Sequence, residues 1–190
     1  MRYHPADTAR TRQKIVKGSA RLLREEGLTV SVNDLMKTAG LTHGSFYLHF
    51  GSKEKLTTEA LKEISDRMLQ DLRNLPSSQG GKLTYFERYL SRTHRDNPSR
   101  GCMMAALAPE ISRAPRFRKV FTDHLKAMIG QIAAGFPWHN GRPARSEAIV
   151  TLSAMVGALV LARASNDAAL SEEILDRVRE ALGRPVTGSQ

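Results

Sequence analysis

The chain has 190 residues, 41% of them hydrophobic and 25% charged, which allows one good core or two modest ones and excludes the disordered and fibrous classes. Its formal net charge of +10 favours a polyanionic partner, nucleic acid ahead of an anionic membrane, because lysines and arginines near phosphates release condensed counterions. The single cysteine, Cys102, excludes an internal disulfide framework and fits a reducing compartment, so a cytoplasmic location is expected.

Residues 1–56 carry ten of the 29 basic and five of the 19 acidic residues, a net of +5, so under a third of the chain holds half of the excess charge. The opening MRYHPADTARTRQ has no apolar stretch behind its charges and does not read as a signal peptide. The longest nearly apolar run, Ile149 to Ala162, is shorter than the roughly 20 residues that cross a bilayer, and no membrane partner is expected.

Almost every segment repeats its apolar residues at helical spacing and none alternates as a strand would, so the predicted class is all-α. Ile15, Ser19, Leu22, Leu23 and Glu26 share one side of a first helix, from about Thr8 to Glu26, with Asp7 as N-cap and Gly27 as its stop. Ser31 caps a short second helix with Val32, Leu35, Met36 and Ala39 inside and Gly40 at its end. Thr42 caps a third, with Phe46 and Phe50 one turn apart on its buried side. Ser52 opens a long helix with Leu56, Ala60, Ile64, Met68 and Leu72 inward, halted at the Pro76–Gly81 break. Further helices are expected over 82–95, 98–112, 115–136, 143–164 and 170–182. The predicted division is 1–56 for a helix-turn-helix, 57–183 for a larger helical domain, and 184–190 for a polar tail.

Two short helices about a tight turn at Gly40 form a helix-turn-helix, the form in which a second helix enters a major groove. With Phe46 and Phe50 inward, 100° per residue turns Gly44, Ser45, Tyr47 and Leu48 outward. An exposed glycine costs a helix about 1 kcal/mol relative to alanine, yet permits close approach to a surface. Leu48 then meets a thymine methyl or a sugar, while Thr42, Ser45, Tyr47 and His49 donate to phosphates or base edges. A plain surface helix with an incidental glycine is the alternative.

The string LMKTAGLTHGSFYLHFGSKEKL, Leu35 to Leu56, resembles the signature of the tetracycline-repressor (TetR) family, with its Ala39-Gly40 turn, its Tyr47-x-His49-Phe50 run and Lys53 opening the next helix. The likeness covers roughly residues 9 to 60, and Met36 and Leu48 depart from the usual residue types. It implies a homodimer on double-stranded operator DNA, a repressor by default, with contacts carried to Ser31, Asn33, Thr42, His43, Gly44, Ser45, Tyr47, Leu48, His49 and Lys53. Lys53 at a helix N-terminus opposes the macrodipole, a conflict that a bound phosphate would remove.

The 148–162 segment is apolar on almost all sides and must be covered all round. Two-fold pairing of the last two helices would do this through Ile149, Leu152, Val156 and Leu159 of one and Leu170, Ile174, Leu175 and Val178 of the other. Burial of both helices within one protomer is the alternative. Met68, Met103, Met104, Leu107, Phe117, Phe121, Met128, Trp138 and Met155 supply adaptable apolar side chains for a pocket holding a small apolar or aromatic effector of unknown identity, as the resemblance also implies.

Arg100 and Arg113 near Cys102 leave open a thiol-sensing regulator, and a constitutive architectural DNA-binder without effector is a further alternative. His94, His124 and His139 lack ligand spacing, and no Gly-rich phosphate loop, HExxH or GxSxG occurs. No cofactor, metal or enzymatic activity is expected.

Overall fold

The computed structural model describes residues 5–138 and 143–183, and among them every regular element is a helix. His139 and the 184–190 tail lie outside the described residues.

The first helix, α1 (Pro5–Glu26), begins before Asp7, which falls in its first turn rather than at its cap. It stops at Gly27, whose φ of +89° suits a residue without Cβ. Ser31 caps α2 (Val32–Lys37), its hydroxyl accepting the Asp34 N–H at 3.1 Å. Gly40, at φ +74°, reverses the chain. The third element is a 3-10 turn over His43–Ser45 running into a single turn, α3 (Phe46–His49), and the Thr42 hydroxyl makes no capping bond there. Ser52 caps α4 (Lys53–Arg73) by accepting the Lys55 N–H at 3.2 Å.

Beyond α4 the expected 82–95 and 98–112 helices each divide. The first becomes α5 (Gln79–Tyr89) and α6 (Arg92–Asp96), because the Ser91 hydroxyl accepts the His94 N–H and starts a new helix. The second becomes a 3-10 turn, Pro98–Arg100, and α7 (Met103–Ser112). Gly101 between them is extended and buried, and a Cβ there would meet the His94 ring and the Arg163 guanidinium. The chain closes with α8 (Pro115–Gly135), α9 (Ala144–Ala164) and α10 (Ala168–Gly183). With 21 residues, α9 is long and apolar enough to cross a bilayer by length and composition, which the shorter 149–162 run alone was not. Its buried residues, among them Leu152, Met155 and Leu159, pack into the protein's own core.

Two cores result. Ile15, Leu23, Leu35, Met36, Phe46, Phe50 and Leu56 form the first, which also takes in Met103, Leu107, Ile111 and Phe117 from α7 and α8. The second gathers Leu72, Phe86, Leu90, Met104, Met128, Ile132, Leu152, Met155, Leu159 and Leu175. Each such side chain, fully buried, contributes about 1.5–3 kcal/mol. Because α4 supplies Ile64 to the first and Leu72 to the second, one helix links the two.

Candidate functional site

Phe46 and Phe50 anchor the short third element, both 2% exposed and stacked with centroids 6.1 Å apart. That anchoring turns Tyr47 and Leu48 outward, at 70% and 75% exposure. Thr42, His43 and Gly44 are exposed beside them, and Ser45 is half-buried. A Cβ on Gly44 would meet nothing nearer than the Thr42 hydroxyl at 4.0 Å, so neither packing nor backbone strain within the protomer demands glycine there. His43 leans edge-on against Tyr47, 6.0 Å between centroids. His49 is half-buried, with an enclosed Nδ1 that has no partner. Asn33 is exposed, and the Ser31 hydroxyl donates to the Asp34 carboxylate at 2.6 Å besides capping α2.

Lys53 reaches back rather than outward. Its ammonium donates to the Leu28 carbonyl at 3.1 Å, and burial, helped by Arg116, lowers its pKa. The carbonyl thus answers the cation that the α4 N-terminus disfavours, although two ammonium donors are left over for another acceptor.

Arg12 of α1 is a residue that sequence analysis missed. Its guanidinium grips the Glu59 carboxylate through two bonds of 2.5 and 2.6 Å, donates to the His49 carbonyl at 3.3 Å, and lies 4.5 Å over the Phe50 ring. One side chain thereby ties α1, α3 and α4 into a fixed unit that presents Tyr47 and Leu48. Its partners lie 37 to 47 residues away, beyond any local pattern.

A cavity of about 870 Å³ opens among α4, α5, α6 and the 97–102 segment. Of the nine predicted pocket residues, Met68 and Met128 line it. Met103, Leu107 and Phe117 fill the first core and Met104 and Met155 the second. Phe121 packs partly buried against both cores, and Trp138 covers the edge of the second with Lys82 over its ring at 3.8 Å. The unforeseen lining includes Leu72, Leu75, Tyr85, Tyr89, His94 and Cys102. His94 is held from both sides, by the Tyr89 carbonyl at Nδ1 (2.7 Å) and by the Cys102 N–H at Nε2 (3.1 Å), and burial lowers its pKa.

The Cys102 thiol is 1% exposed, and burial raises its pKa against the smaller opposing effect of Arg163. Arg100 and Arg113, the cations expected to activate it, are not among the groups that act on it, so the fold favours the thiol form. Among the described residues no three His, Cys, Asp or Glu side chains lie together as a metal site would need.

The cavity wall touches the first core directly. Arg24 of α1, 6% exposed, donates from Nε at 2.9 Å and from a second nitrogen to the Ser99 carbonyl, within the segment whose Asn97, Arg100 and Gly101 line the cavity. Glu110 of α7 accepts the Leu28 N–H at 2.7 Å.

The expected dimer residues divide. Leu152, Leu159 and Leu175 are 2%, 0% and 2% exposed, buried inside the protomer and so unable to face a partner. Both faces of α9 are apolar, and α8 and α10 cover the one that carries these leucines, which apolarity alone does not reveal. Val156, Ile174 and Val178 are half-buried, while Ile149 and Leu170 are exposed. Val150 and Leu161, 60% and 59% exposed, were not foreseen. With Ser153 and Gly157 they form an outward stripe on α9, open above Gly157.

Residues 15–60 match the family model described as "Bacterial regulatory proteins, tetR family". The chain is 34% identical over 76 residues to the HTH-type transcriptional regulator YvdT of Bacillus subtilis, covering 35% of this chain and 39% of that protein. Against the HTH-type transcriptional repressor AcnR of Corynebacterium efficiens it is 29% identical over 117 residues, 60% of this chain and 57% of that one. The chain therefore spans less than two thirds of the length of these relatives. The reduced form of Escherichia coli NemR shares its fold, with a TM-score of 0.77 at 20% identity over 91% of this chain and 95% of that one. With a regulator's N-terminal model over α1 to α4 and a shared helical fold over both cores, the chain belongs to the tetR family of bacterial regulatory proteins.

Proposed function

We propose that the protein is a dimeric transcriptional repressor that grips double-stranded operator DNA through the exposed 42–49 turn and releases it when a small molecule fills the cavity. One observation carries this: Tyr47 and Leu48 stand fully outward on a turn pinned by Phe46, Phe50 and Arg12, next to a glycine that the protomer does not itself need. Exposed large side chains on a rigid, small-residue-flanked turn fit a groove and are costly in water. Thr42, His43 and Ser45 lie near enough to read base edges. Tyr47 and the spare donors of Lys53 are suited to phosphates, with Ser31 and Asn33 at the α2 N-terminus and His49 alongside.

Two-fold pairing is assigned to the α9 stripe, Ile149, Val150, Ser153, Gly157 and Leu161, with Leu170 and the flank of Ile174 and Val178 on α10. A cavity of about 870 Å³ favours a ligand-responsive regulator over an architectural binder with a solid second core. The division at residue 56 keeps its meaning as the end of the DNA-reading unit, even though α7 shares that unit's core. Footprinting on the DNA flanking the protein's own gene, followed by a screen for compounds that release it, tests the whole reading. Protection of a two-fold symmetric segment supports it, and protection without sequence preference together with no releasing compound supports the architectural alternative.

A further inference from the structure

We propose that the cavity binds a neutral or anionic molecule with a flat apolar body and one acceptor oxygen, a carbonyl or a carboxylate, held by the hydroxyls of Tyr85 and Tyr89. This rests on the cavity being the effector site, and not on the assignment of the DNA-reading face.

Tyr85 and Tyr89 lie one turn apart on α5 with centroids 6.0 Å apart, and both line the cavity. Their hydroxyl oxygens are fully enclosed and neither has a hydrogen-bond partner in the protein. Buried phenols nearly always find one, because the alternative forfeits the hydration of the O–H without return. The other polar groups of this wall do not supply it. Both nitrogens of His94 are engaged, on the Tyr89 carbonyl and the Cys102 N–H, and Arg163 spends its guanidinium on the carbonyls of His94 and Arg95. Two donors facing one space therefore await an acceptor from outside the chain.

The remaining wall sets the body of the ligand. Met68, Leu72, Leu75 and Met128 are apolar and deformable, and tyrosine rings stack on flat molecules. Charge is set by what lies behind the hydroxyls. Burial keeps both phenols protonated, and Arg163 and Arg24 stand behind the same wall, whereas the acidic lining residues Asp71 and Glu87 are exposed. A cationic ligand would find no anion at the inner end.

Four probes of one shape separate the contributions: 2-acetylnaphthalene (carbonyl), 2-naphthoate (carboxylate), naphthalene (no acceptor) and 2-naphthylmethylammonium (cation), each titrated calorimetrically into the full chain. The expected order places the carbonyl or the carboxylate at least about tenfold tighter than naphthalene, with the cation weakest, and the tighter of the first two identifies which acceptor is preferred. Tyr85→Phe and Tyr89→Phe keep the rings, and each is expected to weaken that probe about fivefold. A purely structural hydroxyl would lower the melting temperature of the unliganded protein when removed. Here the melting temperature is expected to hold or rise, because the lost O–H had no partner. Equal binding of naphthalene and the acceptor probes, no binding by any probe at millimolar concentration, or unchanged affinity in both Phe variants overturns the proposal. Operator footprints of the same preparations show whether the DNA reading survives independently.

Discussion

Lys53 shows how one side chain changes meaning between sequence and structure. As a cation at a helix start it asked for a phosphate, yet the Leu28 carbonyl, 25 residues away, already accepts it at 3.1 Å. His124 is the clearest titrating residue. It is 1% exposed, its Nδ1 sits on the Ser65 hydroxyl at 2.9 Å, its Nε2 has no partner, and burial lowers its pKa to about 4. Because the folded value lies below the unfolded value of about 6.5, the folded state binds fewer protons between these limits. The stability that neutral His124 allows is complete above about pH 6.5 and is lost as pH falls toward 4. Denaturant unfolding is expected to lose about 2 kcal/mol from this residue between pH 7 and pH 5. His124→Leu should flatten that loss, and an equal slope in both proteins would remove His124 as its source.

At the scale of elements, the sequence was legible wherever the signal was local. Ser31 and Ser52 cap the helices expected of them, and Gly27 and Gly40 take the left-handed backbone that ends α1 and turns the chain after α2. Ser91 carried the same kind of signal inside the expected 82–95 helix and was passed over. The cavity lay beyond reach, because Tyr85, His94 and Cys102 meet only after α5, α6 and α7 pack together. The interface was half legible: helical spacing identified α9 and α10, but Leu159 and Leu175 turn into the protomer. Substitution there would unfold the chain rather than divide a dimer. Val150→Glu with Leu161→Glu instead places two charges on exposed positions, tolerable in a monomer and costing several kcal/mol when buried against a partner. Sedimentation should give a folded monomer with unchanged helical content. A fully dimeric double variant would exclude this stripe as the interface.

At the scale of the whole molecule, two connections run between the cores. The α4 helix, 21 residues long, reaches from Lys53 beside the DNA-reading turn to Met68 and Leu72 on the cavity wall. The second is shorter: Ser99, in the segment that lines the cavity, is clasped by Arg24 of α1. A ligand that displaces this segment would pull on α1 directly, and Arg12 on the same helix fixes the reading turn. Arg24→Gln is therefore expected to leave operator affinity within about threefold. It should shrink the ratio of operator Kd with and without a releasing compound, a ratio typically about 5- to 150-fold in coupled systems. An unchanged ratio would assign the coupling to α4 alone.

The central claim, that the 42–49 turn is what meets DNA, is tested most directly by titrating the footprinted operator duplex with the wild-type protein and with Leu48→Glu by fluorescence anisotropy, at fixed salt. Leu48 is 75% exposed, so the substitution should leave folding and dimerisation intact while setting a carboxylate against the duplex. The expected result is at least about a hundredfold loss of operator affinity at unchanged melting temperature. Equal affinity of the two proteins would contradict the account.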